Sequence, residues 1–121
     1  MKKILVVDDE ENIRFLYKKE LEDQGYQVTL AATAEEAKAK IREDKPDVIT
    51  LDNKMPGMDG IEFMKKLQEE GKNIPVILCS THGRFKQDFR VWAADAYVVK
   101  SADLSELKLT IKEVLDEVAS Q

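Results

Sequence analysis

The sequence predicts an α/β fold: a doubly wound, five-stranded parallel sheet with helices on both faces. Three observations carry this. Five short apolar runs rich in Val and Ile suit strands buried on both faces: "ILVV" (4–7), "QVTLA" (27–31), "DVITL" (47–51), "VILCS" (76–80) and "AYVV" (96–99). Segments of helical character alternate with them, and such alternation implies parallel strands joined by helical crossovers. A length of 121 residues with 43% apolar content suits one domain, expected over 1–121, with a real core. The strand order 2-1-3-4-5 is taken from this fold type, since composition does not encode it.

Each element has a local reason. After the first strand, Ile13, Leu16, Tyr17 and Leu21 fall at i, i+3, i+4 and i+8 in a helix over 11–23, which Gly25 stops. Thr33 and Glu36 form a capping-box pattern opening a helix over 34–44, and Pro46 marks its end. The third strand runs into Asp52, followed by a loop shaped by Pro56, Gly57 and Gly60. Ile61, Met64 and Leu67 stripe the next helix, which Gly71 ends. A fourth helix over roughly 84–94 would place Phe85, Phe89 and Trp92 on one face, read as a core stripe in preference to an exposed partner patch. Asp103 and Glu106 repeat the capping-box spacing ahead of Leu104, Leu107, Ile111, Val114 and Leu115.

The bulk composition excludes several function classes. A net charge of −5 argues against binding nucleic acid or an anionic membrane through a broad basic surface. A single cysteine, Cys79, excludes an internal disulfide and a Cys-rich metal cluster, and it reads as a small buried hydrophobe in a reducing compartment. "MKKILVVDDE" is too short in apolar residues for a secretion signal, and no run is long enough to cross a bilayer. A cytoplasmic protein is expected, without linker, repeat or output domain in this chain.

The polar residues sit where such a sheet binds ligands. Asp8 and Asp9 end the first strand, Asp52 the third, Ser80 the fourth and Lys100 the fifth. In an open α/β sheet, ligands bind outside the carboxyl ends of the strands, where the strand order reverses. Three carboxylates in one crevice repel and call for a cation. Hard oxygen donors, with no His or Cys ligand set, point to Mg²⁺. A lysine supplies a point charge for an anionic oxygen, and a hydroxyl a hydrogen bond. Together these groups suit phosphoryl transfer to an aspartate. Taken singly they are ordinary: Asp9 would serve as a helix cap, Lys100 as a surface charge, Ser80 as a turn hydroxyl and His82 as a loop residue.

The stretches "ILVVDDEENIRFLYKKELEDQGYQV", "PDVITLDNKMPGMDGIEFMKKL", "IPVILCS" and "AYVVKS" resemble the receiver domain of two-component response regulators, especially its single-domain members. The resemblance covers essentially the whole chain and implies the flavodoxin-like receiver fold. It makes Asp52 the phosphoacceptor, and Asp8 and Asp9 the acidic pair that holds Mg²⁺ with Asp52 and the backbone carbonyl of Lys54. Ser80 and Lys100 would contact the phosphoryl oxygens. Tyr97 would be the aromatic that moves inward with Ser80 as the switch. Lys54, Thr81 and His82 would tune the phosphoryl lifetime. The implied partners are a sensor histidine kinase or phosphotransfer protein, and an effector bound through the face of the fourth helix, fifth strand and fifth helix.

Three positions depart from the family pattern. Ser101 follows Lys100 where a proline is usual, Thr81 stands where a smaller residue is common, and the stretch from Ser80 to Lys100 is about two residues short. The expected activity is that of a phosphorylation-activated switch rather than an enzyme. The alternatives are a phosphorylation-independent module of the same fold and a hydrolase with an aspartyl-phosphate intermediate. Lys54 stands where such a hydrolase commonly has its second acid. A nucleotide binder is disfavoured because no Gly-rich loop follows the first strand.

Overall fold

The computed structural model describes residues 1–52, 54–55, 58–80, 94–101 and 103–119. In chain order the elements are β1 (Lys3–Val7), α1 (Glu11–Asp23), β2 (Gln27–Ala31), α2 (Ala34–Glu43), β3 (Val48–Asp52), β4 (Lys54–Met55), β5 (Met58–Asp59), α3 (Gly60–Glu69), β6 (Val76–Ser80), β7 (Ala96–Val99) and α4 (Ser105–Ala119). The five long strands are all parallel in the order β2-β1-β3-β6-β7. This is the expected 2-1-3-4-5 arrangement. Of the helix expected over roughly 84–94 only Ala94 is described, in a bend, and Phe85, Phe89 and Trp92 lie outside the described residues, as do Thr81 and His82.

Side chains alternate across each strand, and this splits the core into two layers. Leu5, Val7, Ile49, Leu51 and Leu78 face α2 and α3, where Ala37, Ile41, Phe63, Met64 and Leu67 cover them. Ile4, Val6, Ile77, Cys79 and Val98 face α1 and α4, where Tyr17, Leu21, Leu107 and Ile111 cover them. Burial on both faces is why these strands read as continuous apolar runs.

Several local expectations are refined. Leu16 is 38% exposed, beside Phe15 at 57%. The line of α1 against the sheet is Ile13, Tyr17 and Leu21, at i, i+4 and i+8, and Leu16 is rotated off it. The Thr33 hydroxyl accepts from the Glu36 N–H at 3.1 Å, and the Glu36 carboxylate accepts from Ala32 N–H, one residue earlier than in a regular capping box. Asp103 accepts from the Ser105 N–H at 2.9 Å and from the Ser105 hydroxyl, which holds its carboxyl below the ordinary 3.8. Gly25 and Gly71 follow α1 and α3 with φ of +92° and +75°, the left-handed region that glycine enters without a Cβ clash. The segment after Asp52 forms a two-residue antiparallel ladder, β4 with β5, where only a loop was expected.

An aspartate stands just before each of two strands and closes the sheet's amino edge. The Asp47 N–H donates to the Lys3 carbonyl at 2.8 Å, and its carboxylate accepts from the Lys3 N–H at 2.7 Å. Asp95 repeats the device on Val76, donating to its carbonyl and accepting from its N–H. Asp47→Ala leaves the Lys3 N–H without this partner. It is expected to lower stability by about 1–3 kcal/mol, read from the urea midpoint at unchanged m-value.

Candidate functional site

The site is built from the carboxyl ends of four strands. Asp8 follows β1, and its N–H extends the ladder to the Ala31 carbonyl at 3.1 Å. Its Oδ1 accepts from the Glu10 N–H at 2.9 Å, and Arg14 Nη1 donates to its carbonyl at 2.8 Å. These bonds hold the turn into α1 and leave Oδ2 for Lys100. The side chain of Glu10, the N-cap of α1, makes no cap hydrogen bond, so neither Asp9 nor Glu10 is spent on capping. Asp52 is the last residue of β3, in register with Cys79.

Lys100 follows β7. Its N–H donates to the Ser80 carbonyl at 2.6 Å, which ties the ends of β6 and β7 together. The bond to Ser101 is trans, and Lys100 nonetheless reaches the acids. Its Nζ lies 2.7 Å from Asp8 Oδ2 and 3.3 Å from Asp52 Oδ1. The main chains of β7 and β1 are three strand spacings apart, roughly 14 Å, so the length of the lysine is needed to span them.

The electrostatics follow from burial. Asp8 is 2% exposed and Asp52 8%, and Lys100 exposes 8% of its side chain. Burial alone would lower the lysine pKa, but the hydrogen bond to Asp8 and the charge of Asp52 outweigh it and raise the pKa above the usual 10.5. Behind the acids, burial pushes the Cys79 thiol up from 9.0 to about 12, and Asp52 and Asp8 add to this while Lys100 opposes it. Burial also raises the Tyr17 phenol, with Cys79, Asp8 and Asp52 acting in the same direction.

Alternation assigns each residue a face of the sheet. Asp8 continues the line of Ile4 and Val6, Asp52 that of Val48 and Thr50, and Lys100 that of Ala96 and Val98, all on the α1–α4 side. Ser80 continues Val76 and Leu78 on the other side, with Tyr97 and Val99. Ser80 is 6% exposed, and Tyr97 is half-buried opposite Leu78. The two residues expected to form the switch thus share one face, separate from the acid–lysine cluster.

The donor set suits a hard divalent cation. Carboxylate oxygens of Asp8, Asp9 and Glu10 lie within 4.8 Å of one another, and Asp9 and Glu10 are exposed. Lys100 pairs with the buried Asp8 and Asp52, and the carboxylates that face solvent beside them are those of Asp9 and Glu10. Glu10 was not singled out from the sequence, although the acidic run "DDEE" was its signal. The backbone of Lys54 lies in β4, two residues past Asp52.

Comparison with known proteins places this geometry. Residues 4–112 match the family described as response regulator receiver domain. Sporulation initiation phosphotransferase F of Bacillus subtilis (strain 168) is 35% identical over 115 residues, covering 93% of this chain and 93% of that protein. The alkaline phosphatase synthesis transcriptional regulatory protein PhoP of the same organism is 38% identical over 116 residues, or 94% of this chain, and the chain spans 48% of its length. Among solved structures, response regulator protein TrrA of Thermotoga maritima in complex with Mg²⁺–BeF has 42% identity and a TM-score of 0.88, covering 94% of this chain and 99% of that one. The same regulator in complex with histidine kinase ThkA has 43% identity and a TM-score of 0.87, covering 95% and 99%. Fold, strand order and the family match over 4–112 together show that this chain belongs to the response regulator receiver domains of two-component systems.

Proposed function

We propose that the protein is a phosphorylation-activated signalling switch, a phosphoacceptor rather than a turnover enzyme. The observation that carries this reading is the buried cluster of Asp8, Asp52 and Lys100 at the carboxyl edge of the sheet. Asp52 attacks the phosphorus of a phosphohistidine on a sensor kinase or phosphotransfer protein. The P–N bond breaks, the imidazole leaves and takes up a proton, and an acyl phosphate forms. Asp8, Asp9, Asp52 and the Lys54 carbonyl would hold Mg²⁺, which when bound supplies charge neutralisation at the transferring oxygens.

Lys100 keeps Asp52 in the ionised, attacking form and then pairs with a phosphoryl oxygen. Ser80 donates its hydroxyl to another oxygen and moves toward it, and Tyr97, on the same face, follows into the space released. An effector reads the change on β7, α4 and the segment 84–94; Leu109 on α4 is 58% exposed. Lys54, Thr81 and His82 tune the phosphoryl lifetime. A cytoplasmic setting belongs to the same proposal; among the described residues no helix is long and apolar enough to cross a membrane.

The test is incubation with acetyl phosphate, with and without Mg²⁺, followed by intact mass. A gain of one phosphoryl group only with Mg²⁺ is expected. An unchanged mass in both arms would instead favour a phosphorylation-independent module. Asp9→Ala should weaken Mg²⁺ binding by more than about tenfold in a calorimetric titration, since it removes an exposed metal oxygen and leaves the Lys100 cluster intact. Phe15 and Leu16 are exposed on the helix that begins beside the acids and offer the phosphodonor an apolar contact. Phe15→Ala is expected to slow transfer from the kinase by about tenfold, an effect of the size of one interface anchor, without changing labelling by acetyl phosphate.

A further inference from the structure

We propose a second ligand site, a basic groove at the sheet edge opposite Asp52, which takes a small organic phosphate with a dianionic head and an apolar body. Helices return antiparallel to the strands they join, so the carboxyl ends of α2 and α3 meet at the amino edge of the sheet, away from the acids. There Lys38, Ile41, Arg42, Leu67, Glu70 and Lys72 line a cavity of about 340 Å³. A second cavity of about 180 Å³ adjoins it, sharing Ile41 and Lys72 and adding Lys45 and Ile74. The larger volume falls in the range of small-molecule sites.

The charge is what sets this groove apart. Among the described residues lining the two cavities, Lys38, Arg42, Lys45 and Lys72 are accompanied by one acid, Glu70, in a chain whose net charge is −5. Among the described residues none of these four cations stands in an ion pair. Cations gathered this way repel until an anion arrives. Complementation of the helix dipole accounts for Arg42 in the last turn of α2. It does not account for Lys38, a turn earlier, nor for Lys45 and Lys72, which lie beyond the helix ends. The floor is apolar: Ile41, Leu67 and Ile74 are 5%, 3% and 7% exposed. Cations above an apolar floor suit an amphiphilic anion better than a bare one.

The probe is phenyl phosphate, titrated without Mg²⁺ into the ¹⁵N-labelled chain, with inorganic phosphate and phenol as the separate head and body. Phenyl phosphate is expected to shift the amides of 38–42 and 67–72 and to bind at least about tenfold tighter than inorganic phosphate. Lys38→Gln with Arg42→Gln should raise its Kd at least about tenfold while Mg²⁺-dependent labelling by acetyl phosphate stays unchanged, so this site and the phosphoacceptor site fail separately. Shifts confined to Asp8, Asp9 and Lys100 would overturn the proposal. So would no response up to about 10 mM, or an equal response to inorganic phosphate.

Discussion

Asp52→Asn is expected to take up no phosphoryl group from acetyl phosphate with Mg²⁺, while remaining folded. The amide is nearly isosteric with the carboxylate but is not a nucleophile at phosphorus. Its oxygen still accepts from Lys100, and Lys100 keeps its shorter contact to Asp8 at 2.7 Å, so no charge is left alone. Removing one of two neighbouring buried carboxylates also relieves repulsion. Stability should therefore stay within about 1 kcal/mol of wild type. Intact mass and a urea curve on the same preparation separate loss of the nucleophile from loss of the fold. Phosphoryl uptake that persists would move the acceptor to Asp8, Asp9 or Glu10 and sink the assignment.

Lys100→Met should produce the largest loss of stability. Asp8 and Asp52 would remain buried without the ammonium that lies 2.7 and 3.3 Å from them. Breaking a buried pair from one side costs about 3–5 kcal/mol. Mg²⁺, bound by the folded acids as proposed, should restore part of it and raise the Tm of the variant more than that of wild type. A variant within about 1 kcal/mol of wild type at pH 7 without Mg²⁺ would show that solvent already compensates these acids.

The wild type should fail at alkaline pH. Lys100 has a folded pKa above 10.5, so its contribution is complete below 10.5 and is lost as pH rises through the folded value. Cys79 ionises near 9.0 when unfolded but only near 12 in place, and the raised Tyr17 phenol behaves alike. Each leaves the unfolded state with fewer bound protons, so stability falls with pH from about 9 upward. In Lys100→Met the lysine part of that decline is absent.

Strands and most helix ends were legible because their causes are local. Short runs rich in Val and Ile mark the strands, glycine marks Gly25 and Gly71, and a hydroxyl marks the start of α2. Leu16 misled because a helical stripe does not say how wide the covering surface is. The pairing at the start of β3 was missed because an aspartate before a strand gives no sign of which backbone it will hold; Lys3 is 44 residues away.

By itself the sequence determined which residues stand at strand ends and which residues of one strand share a side, since both depend on the period-two geometry of a single strand. The tertiary structure put Asp8, Asp52 and Lys100 on one face of the sheet, and Ser80 with Tyr97 on the other. It also decided that β1, β3 and β7 converge closely enough for one ammonium to reach two carboxylates, and that Lys38, Arg42 and Lys72 gather around one cavity at the ends of α2 and α3. Those contacts depend on lateral strand order and helix packing, set by burial summed over the whole core, which no single stretch of chain encodes.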